Sequence, residues 1–245
     1  MARKSFIPES GERALIVGQT GSGKTAFASW LIMRVPTAPI FIYDTKIEPK
    51  FDKLVPNKVV STVEEAQKLL HDETIDYIIV RPPDELLGKP EELDEYLWYH
   101  YQHFHHTVAF IDELYTFHNN GRGFRGLQAL LSRGRSKGIT TIGCTQRPVA
   151  ISRLCITEAQ KVYAFKLGDR QDRKRLADVI PNFDDLPVPK NHSFYFFESG
   201  EDAPELFKPV KLDTSLQTGY TDAAPDTQNS DPALHDSQQT KHVWI

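Results

Sequence analysis

The chain has 245 residues, 40% apolar and 25% charged, a composition typical of soluble globular proteins rather than membrane or fibrous ones. Its formal net charge of −4 argues at first against a nucleic-acid partner, but the charge is unevenly placed. Residues 201–245 carry eight acids and three lysines, which leaves residues 1–200 at +1, and the stretch 121–157 holds Arg122, Arg125, Arg133, Arg135, Lys137, Arg147 and Arg153 with no acid.

The first apolar run, 14–17, leads directly into Gly18-Gln19-Thr20-Gly21-Ser22-Gly23-Lys24-Thr25, a complete GxxxxGK[ST] phosphate loop. A buried strand followed by glycines and then an amphipathic helix over 26–34 brings unpaired backbone amides and a helix N-terminus to one point, where a phosphate is stabilised. Lys24 is placed for the β- and γ-phosphates of ATP, and Thr25 for Mg²⁺.

Further apolar runs at 40–43, 77–80, 108–111, 140–144, 161–167 and 193–197 predict strands. They are too continuous for sheets with one wet face, so the sheet is expected to be mostly parallel and covered on both sides. Helices are predicted between them. Ser61-Thr62-Val63-Glu64 reads as a capping box opening a helix over 63–71, and Pro90 suits the first turn of a helix over 91–105. Two more are expected over 124–137 and 172–180. The fold class is thus α/β: a three-layer phosphate-loop NTPase with a mostly parallel central sheet of about seven strands flanked by helices.

No run approaches the ~18–20 uninterrupted apolar residues of a membrane span, and the opening residues lack the apolar core of a signal peptide. No transmembrane segment is therefore expected. Cys144 and Cys155 make no disulfide framework and read as reduced, buried thiols. Residues 1–210 are expected to form one ATPase domain and 211–245 an acidic, disordered tail, rich in Thr, Asp, Gln, Ser and Pro but ending in the apolar Val243-Trp244-Ile245.

Two strand ends carry polar groups. Val108-Ala109-Phe110-Ile111 runs into Asp112-Glu113. At the C-terminal edge of an α/β sheet, Asp112 can hold Mg²⁺ and Glu113 can orient the attacking water, a pairing that points to hydrolysis. The strand 140–144 leads to Gln146, placed to contact the γ-phosphate or the water. The segment Phe117 to Gly126 is glycine-rich, basic and aromatic. It reads either as a DNA-channel loop, with Arg122 and Arg125 on phosphates and Phe124 as a stacking element, or as a lid over the nucleotide. Nothing in it reads base edges, so DNA binding should be sequence-tolerant and salt-dependent. His100, His103, His105 and His106 do not fit compact zinc spacings and read as the end of an amphipathic helix.

The order GQTGSGKT, Ile42-Tyr43-Asp44-Thr45-Lys46, VAFIDE, Gly134-Arg135-Ser136-Lys137-Gly138-Ile139 and TQRP resembles the FtsK/HerA superfamily of DNA-translocating ATPases over roughly residues 12–180. In size, and in the run Gly126 to Pro148 with its sequel Ala159 to Leu167, the chain looks like the genome-packaging ATPases of tailless icosahedral viruses with an internal membrane. The resemblance implies the RecA/FtsK-like form of the phosphate-loop fold and a ring, expected to be a hexamer, with ATP and Mg²⁺ between subunits and double-stranded DNA in the channel. It also implies an arginine finger in trans, with Arg135 at the matching position and Arg133 and Arg153 as alternatives. Capsid vertex proteins are candidate partners, and the host cytoplasm and the packaging vertex of the virion the expected locations. A cellular or plasmid DNA pump or helicase of the same superfamily, a phosphate-loop kinase and a non-catalytic nucleotide-binding subunit remain alternatives.

Overall fold

The computed structural model describes residues 6–37, 39–70 and 72–211. The expected tail, apart from residue 211, and His71 at the end of the second predicted helix lie outside them.

In chain order the elements are β1 (Arg13–Val17), α1 (Lys24–Ile32), β2 (Ile40–Tyr43), β3 (Asn57–Val60), α2 (Val63–Lys68), β4 (Tyr77–Val80), α3 (Pro90–His103) and β5 (Val108–Ile111). There follow β6 (His118–Asn119), β7 (Arg122–Gly123), α4 (Arg125–Arg133), β8 (Thr140–Thr145), α5 (Arg153–Thr157), β9 (Lys161–Ala164), α6 (Arg170–Ala177), β10 (Phe194–Glu198) and β11 (Glu205–Phe207). The main sheet has nine strands in the order β11-β10-β9-β1-β8-β5-β2-β4-β3. Every pairing from β9 through β3 is parallel, and β10 and β11 add an antiparallel edge.

The expectation of about seven strands is corrected to nine. The two additional strands are edges: Asn57-Lys58-Val59-Val60 has no buried residue, and Glu205-Leu206-Phe207 buries only its last. An edge strand only partly covered by the layers carries no long apolar run, so neither gave a signal in sequence. The central strands behave as expected because both faces are covered. Leu15 and Val17 pack with Leu93 and Leu97 of α3 and Leu127 and Leu130 of α4. Ala14 and Ile16, pointing the other way, pack with Phe27, Trp30 and Leu31 of α1.

All five predicted helices shift at one or both ends. The capping box closes one residue later than expected: Thr62 accepts from the Glu65 amide, and Glu65 Oε2 accepts from the Thr62 amide. The helix over 124–137 ends at Arg133 and tightens into a 3-10 turn over Gly134–Lys137. The last predicted helix begins at Arg170, because Asp169 caps it by accepting from the amides of Gln171 and Asp172. The segment Phe117 to Gly126 contains a short hairpin, β6 on β7, turning through Asn120 and Gly121, both at positive φ.

Polar groups tie the layers together. Asp94 of α3 accepts from the Gly126 and Leu127 amides at 2.6 and 2.8 Å, capping α4 from the neighbouring helix. The buried His100 bonds Tyr43 Oη through Nδ1 at 2.8 Å and Thr107 Oγ1 through Nε2 at 3.0 Å. Burial pushes the His100 imidazole down to about 3, so it stays neutral and structural.

Candidate active site

β1 ends at Val17, and the chain turns through the phosphate loop into α1. The Gly18 amide donates to Thr145 O at 3.2 Å and the Gln19 amide to Lys166 O at 2.9 Å, so the loop hangs from the ends of both neighbouring strands, β8 and β9. A side chain at position 18 would put its Cβ 2.6 Å from Phe165 Cβ and 2.7 Å from Ser22 Oγ, which only glycine avoids. Gly21 and Gly23, at φ +75 and +101, make the left-handed turns that aim the loop's amides inward. Helix α1 starts at Lys24 with no side-chain cap and no acid in its first turn, whereas α2 and α6 have both. The buried Ser22 Oγ also lacks a hydrogen-bond partner. Uncapped amides, an orphaned hydroxyl and the largely buried Lys24 together make an anion site.

A cavity of about 540 Å³ opens over the loop. Thr20, Gly21, Gly23, Lys24 and Thr25 line its floor; Lys46, Glu48, Asp112, Cys144 and Gln146 line one side, and Phe165, His192, Phe194, Pro209 and Val210 the other. Gln146 is joined to the loop directly, since Thr20 Oγ1 donates to Gln146 Oε1 at 2.6 Å. Glu113 is buried beside this cavity. Its Oε2 accepts from Lys46 Nζ at 2.7 Å, and its Oε1 is buried without a partner.

Burial pushes the Asp112 carboxyl up to about 6; Lys46 and Lys24 pull against that, while Asp44 and Glu113 add to it. Burial likewise raises the Cys144 thiol, which therefore stays protonated. Burial pulls the Lys46 ammonium down, but its hydrogen bond and charge interaction with Glu113 and the nearby Asp112 leave it raised overall. Thr25 and Asp112 bring hydroxyl and carboxylate oxygens to the cavity that Lys24 also lines. That donor set fits Mg²⁺, which takes one or two protein oxygens and fills its shell from phosphates and water. Among the described residues no group of three or more His, Cys, Asp and Glu side chains converges as a metal site, an arrangement nucleotide-bound Mg²⁺ does not require.

The arginines are dispersed. Arg135 is exposed at the opposite, N-terminal edge of the sheet, against Gly11 and just before β8. It is separated from its own phosphate loop by the length of the strands, about 15 Å. Arg133 and Lys137 sit on the Tyr101 ring, at 4.9 and 4.7 Å. Arg153 is exposed at the start of α5, beyond Gln146. In the hairpin segment Arg122 is exposed and Phe124 half-buried, while Arg125 pairs with Glu95 at 2.5 Å and lies 4.8 Å over Trp98.

Several cavity residues were not named as site residues from the sequence. His192, Phe194, Pro209 and Val210 come from the antiparallel edge, roughly 170 to 190 positions from the loop they cover; the adjacent pair Asn191 and His192 stands there at positive φ, a feature of backbone rather than sequence. Lys46 was visible as part of Asp44-Thr45-Lys46, without an indication that its partner is Glu113.

No family model matches the chain. Over 178 residues, 71% of this chain and 73% of the relative, it is 29% identical to the DNA packaging ATPase P9 of Enterobacteria phage PRD1. The chain is similar to a viral packaging ATPase. Among solved structures, the genome packaging NTPase B204 of Sulfolobus turreted icosahedral virus 2, in complex with ATP-gammaS, superposes with a TM-score of 0.66 at 16% identity, covering 82% of this chain and 98% of that one. The DNA-packaging ATPase B204 of Sulfolobus turreted icosahedral virus superposes at 0.62 with 18% identity, covering 83% and 100%. The cytoplasmic domain of the type VII secretion ATPase EccC of Thermomonospora curvata gives 0.54 at 16% identity, covering 84% of this chain and 27% of that one. At these identities the superpositions establish the fold alone, α/β with a large, mostly parallel sheet.

Proposed function

We propose that the chain hydrolyses ATP to drive double-stranded DNA into a preformed viral capsid. The observation that carries this is the convergence of Lys24, Thr25, Asp112 and Gln146 on one cavity, with Glu113 buried at its edge, in a chain similar to a phage DNA packaging ATPase.

The triphosphate lies on the amides of residues 18–25, with Lys24 on the β- and γ-phosphates. Thr25 and Asp112 would hold Mg²⁺, which supplies charge stabilisation at the phosphates. Glu113 has one oxygen fixed by Lys46 and the other free to accept a proton from the attacking water. Gln146, tied to Thr20, reports the state of the phosphate loop to the segment that follows β8. The side of the cavity formed by His192, Phe194, Pro209 and Val210 has the apolar and aromatic character that suits a nucleobase.

The active form is a ring, a hexamer, with DNA in its channel. Arg135 is too far from its own phosphate loop to serve it, which leaves a neighbour's site as its catalytic target. Arg122, Phe124 and Arg125 leave the same sheet edge as the catalytic carboxylates, so a change around Glu113 has a short path to a channel loop; engagement of Arg125 with DNA would release Glu95. Residues 1–210 form the ATPase domain and 211–245 an acidic tail. The motor acts in the host cytoplasm and at the packaging vertex, where capsid proteins are its partners. No helix among the described residues is long and apolar enough to cross a membrane.

The test is phosphate release by the full chain with and without double-stranded DNA, together with mass measurement of the assembly formed with an ATP analogue and DNA. A DNA-stimulated ATPase that assembles into rings, and a Glu113→Gln variant that binds ATP without cleaving it, are the expected results. A monomer whose hydrolysis is indifferent to DNA would overturn the translocase reading.

A further inference from the structure

The loop after β2 is built around one carboxylate. Buried Asp44 accepts from the Lys46 amide at 3.3 Å and from the Glu48 amide at 3.0 Å, and is itself held by Arg81 Nε at 2.9 Å. Wrapping the backbone around Asp44 forces Ile47, a β-branched residue, to φ +54, a conformation that such residues avoid. Ile47 gains little in exchange, since it is 56% exposed. The product of this arrangement is the direction of its neighbour: Lys46 is turned inward, and its ammonium meets Glu113 Oε2 at 2.7 Å.

A second tie joins the same two loops. Thr116 Oγ1 donates to the Glu113 carbonyl at 2.7 Å and lies 3.4 Å from Thr45 Oγ1. Glu113 is thus held by the Asp44 loop directly through its side chain and, by way of Thr116, through its main chain. Only Oε1 is left without a partner, and it is buried. Three carboxylates, Asp44, Asp112 and Glu113, crowd this edge, and Lys46 is the cation hydrogen-bonded to Glu113.

We infer that Lys46 is a positioning residue for Glu113: the Asp44 loop fixes the Lys46 ammonium, the ammonium fixes Oε2, and Oε1 is thereby presented to the attacking water. This rests on Glu113 being the carboxylate that orients that water. Lys46 contributes orientation and charge balance, and Lys24 the grip on phosphate. Losing Lys46 should therefore affect turnover rather than nucleotide affinity.

The experiment compares Lys46→Met, which keeps the stem and removes the charge, with Lys46→Arg, Glu113→Gln and the Lys46→Met/Glu113→Gln pair, all in the full chain. Turnover is read as phosphate release, and affinity as binding of a fluorescent ATP analogue without Mg²⁺. Lys46→Met should lower kcat by about 10- to 100-fold, the scale for a misplaced catalytic group, with affinity within about twofold of wild type, and Lys46→Arg should recover most of the loss. Unfolding of the nucleotide-free chains gives a readout independent of turnover. Lys46→Met leaves a buried carboxylate uncompensated and should lower the unfolding midpoint, while adding Glu113→Gln, which needs no counter-charge, should restore it. Wild-type kcat in Lys46→Met, a loss confined to affinity, or a midpoint that Glu113→Gln does not restore would overturn the inference. If the wild-type chain releases no phosphate, or Glu113→Gln turns over normally, the underlying assignment of Glu113 falls, and this inference falls with it.

Discussion

The Thr20 hydroxyl donates to Gln146 Oε1 at 2.6 Å, joining the phosphate loop to the end of the strand that lies between β1 and the carboxylate strand β5. A γ-phosphate bound beside Lys24 would accept from Gln146 Nε2 while Oε1 keeps the Thr20 hydroxyl, so Gln146 would link the phosphate to the end of β8. Gln146→Ala should lower kcat by roughly tenfold and leave the affinity for a non-hydrolysed ATP analogue within about threefold of wild type. Steady-state phosphate release and analogue binding measure the two. Equal losses in both would make Gln146 a simple binding contact.

Lys24 is largely buried at the start of a helix that has no side-chain cap. Lys24→Ala should abolish measurable turnover and weaken nucleotide binding. An analogue titration separates this outcome from that of Lys46→Met, which should retain binding.

The Asp112 carboxyl gives a pH signature in the metal-free protein. Burial raises it from 3.8 to about 6, partly offset by Lys46. A raised acid binds its proton more tightly in the folded chain, so its contribution to stability is complete below pH 3.8 and is lost as the pH rises toward 6. Asp112→Asn removes that loss. Without metal, the variant should be more stable than wild type at pH 7, by up to about 3 kcal/mol, and the difference should vanish near pH 4. Urea unfolding at the two pH values, with EDTA present, decides it; a difference independent of pH would rule out Asp112 as the titrating group.

Gly126 sits where α4 meets α3, and a Cβ there would lie 2.5 Å from Asp94 O and 2.9 Å from Asp94 Oδ2. Gly126→Ala should destabilise the chain by about 1–3 kcal/mol, the usual cost of overpacking. It should also displace the hairpin segment, since the Gly126 amide is one of Asp94's two anchors there. Thermal unfolding measures the first effect and protease sensitivity around residues 118–124 the second.

If Arg135 acts on a neighbour, Arg135→Ala subunits should regain activity in rings mixed with Lys24→Ala subunits. Each defective subunit then supplies the half that the other lacks. Phosphate release across a titration of the two variants tests this, and an activity that never exceeds that of either variant alone would remove Arg135 from the site.

The sequence by itself determined the class of the fold and marked the residues of the phosphate end. The phosphate loop is contiguous, so its glycines, Lys24 and Thr25 are legible together, and Asp112, Glu113 and Gln146 each stand at the end of an apolar run whose length marks a strand buried on both faces. Strands covered on one side or neither carry no such pattern, which is why β3 and β11 emerged only in three dimensions. The pairing of Lys46 with Glu113, the bond from Thr20 to Gln146 and the cavity side made by His192, Phe194, Pro209 and Val210 were decided by the tertiary structure alone. Each joins groups separated by 67 to about 190 positions, brought together by the strand order rather than by any local preference. The same is true of Arg135: its sequence neighbourhood suggested a finger, but only the fold showed that it stands at the edge opposite its own phosphate loop.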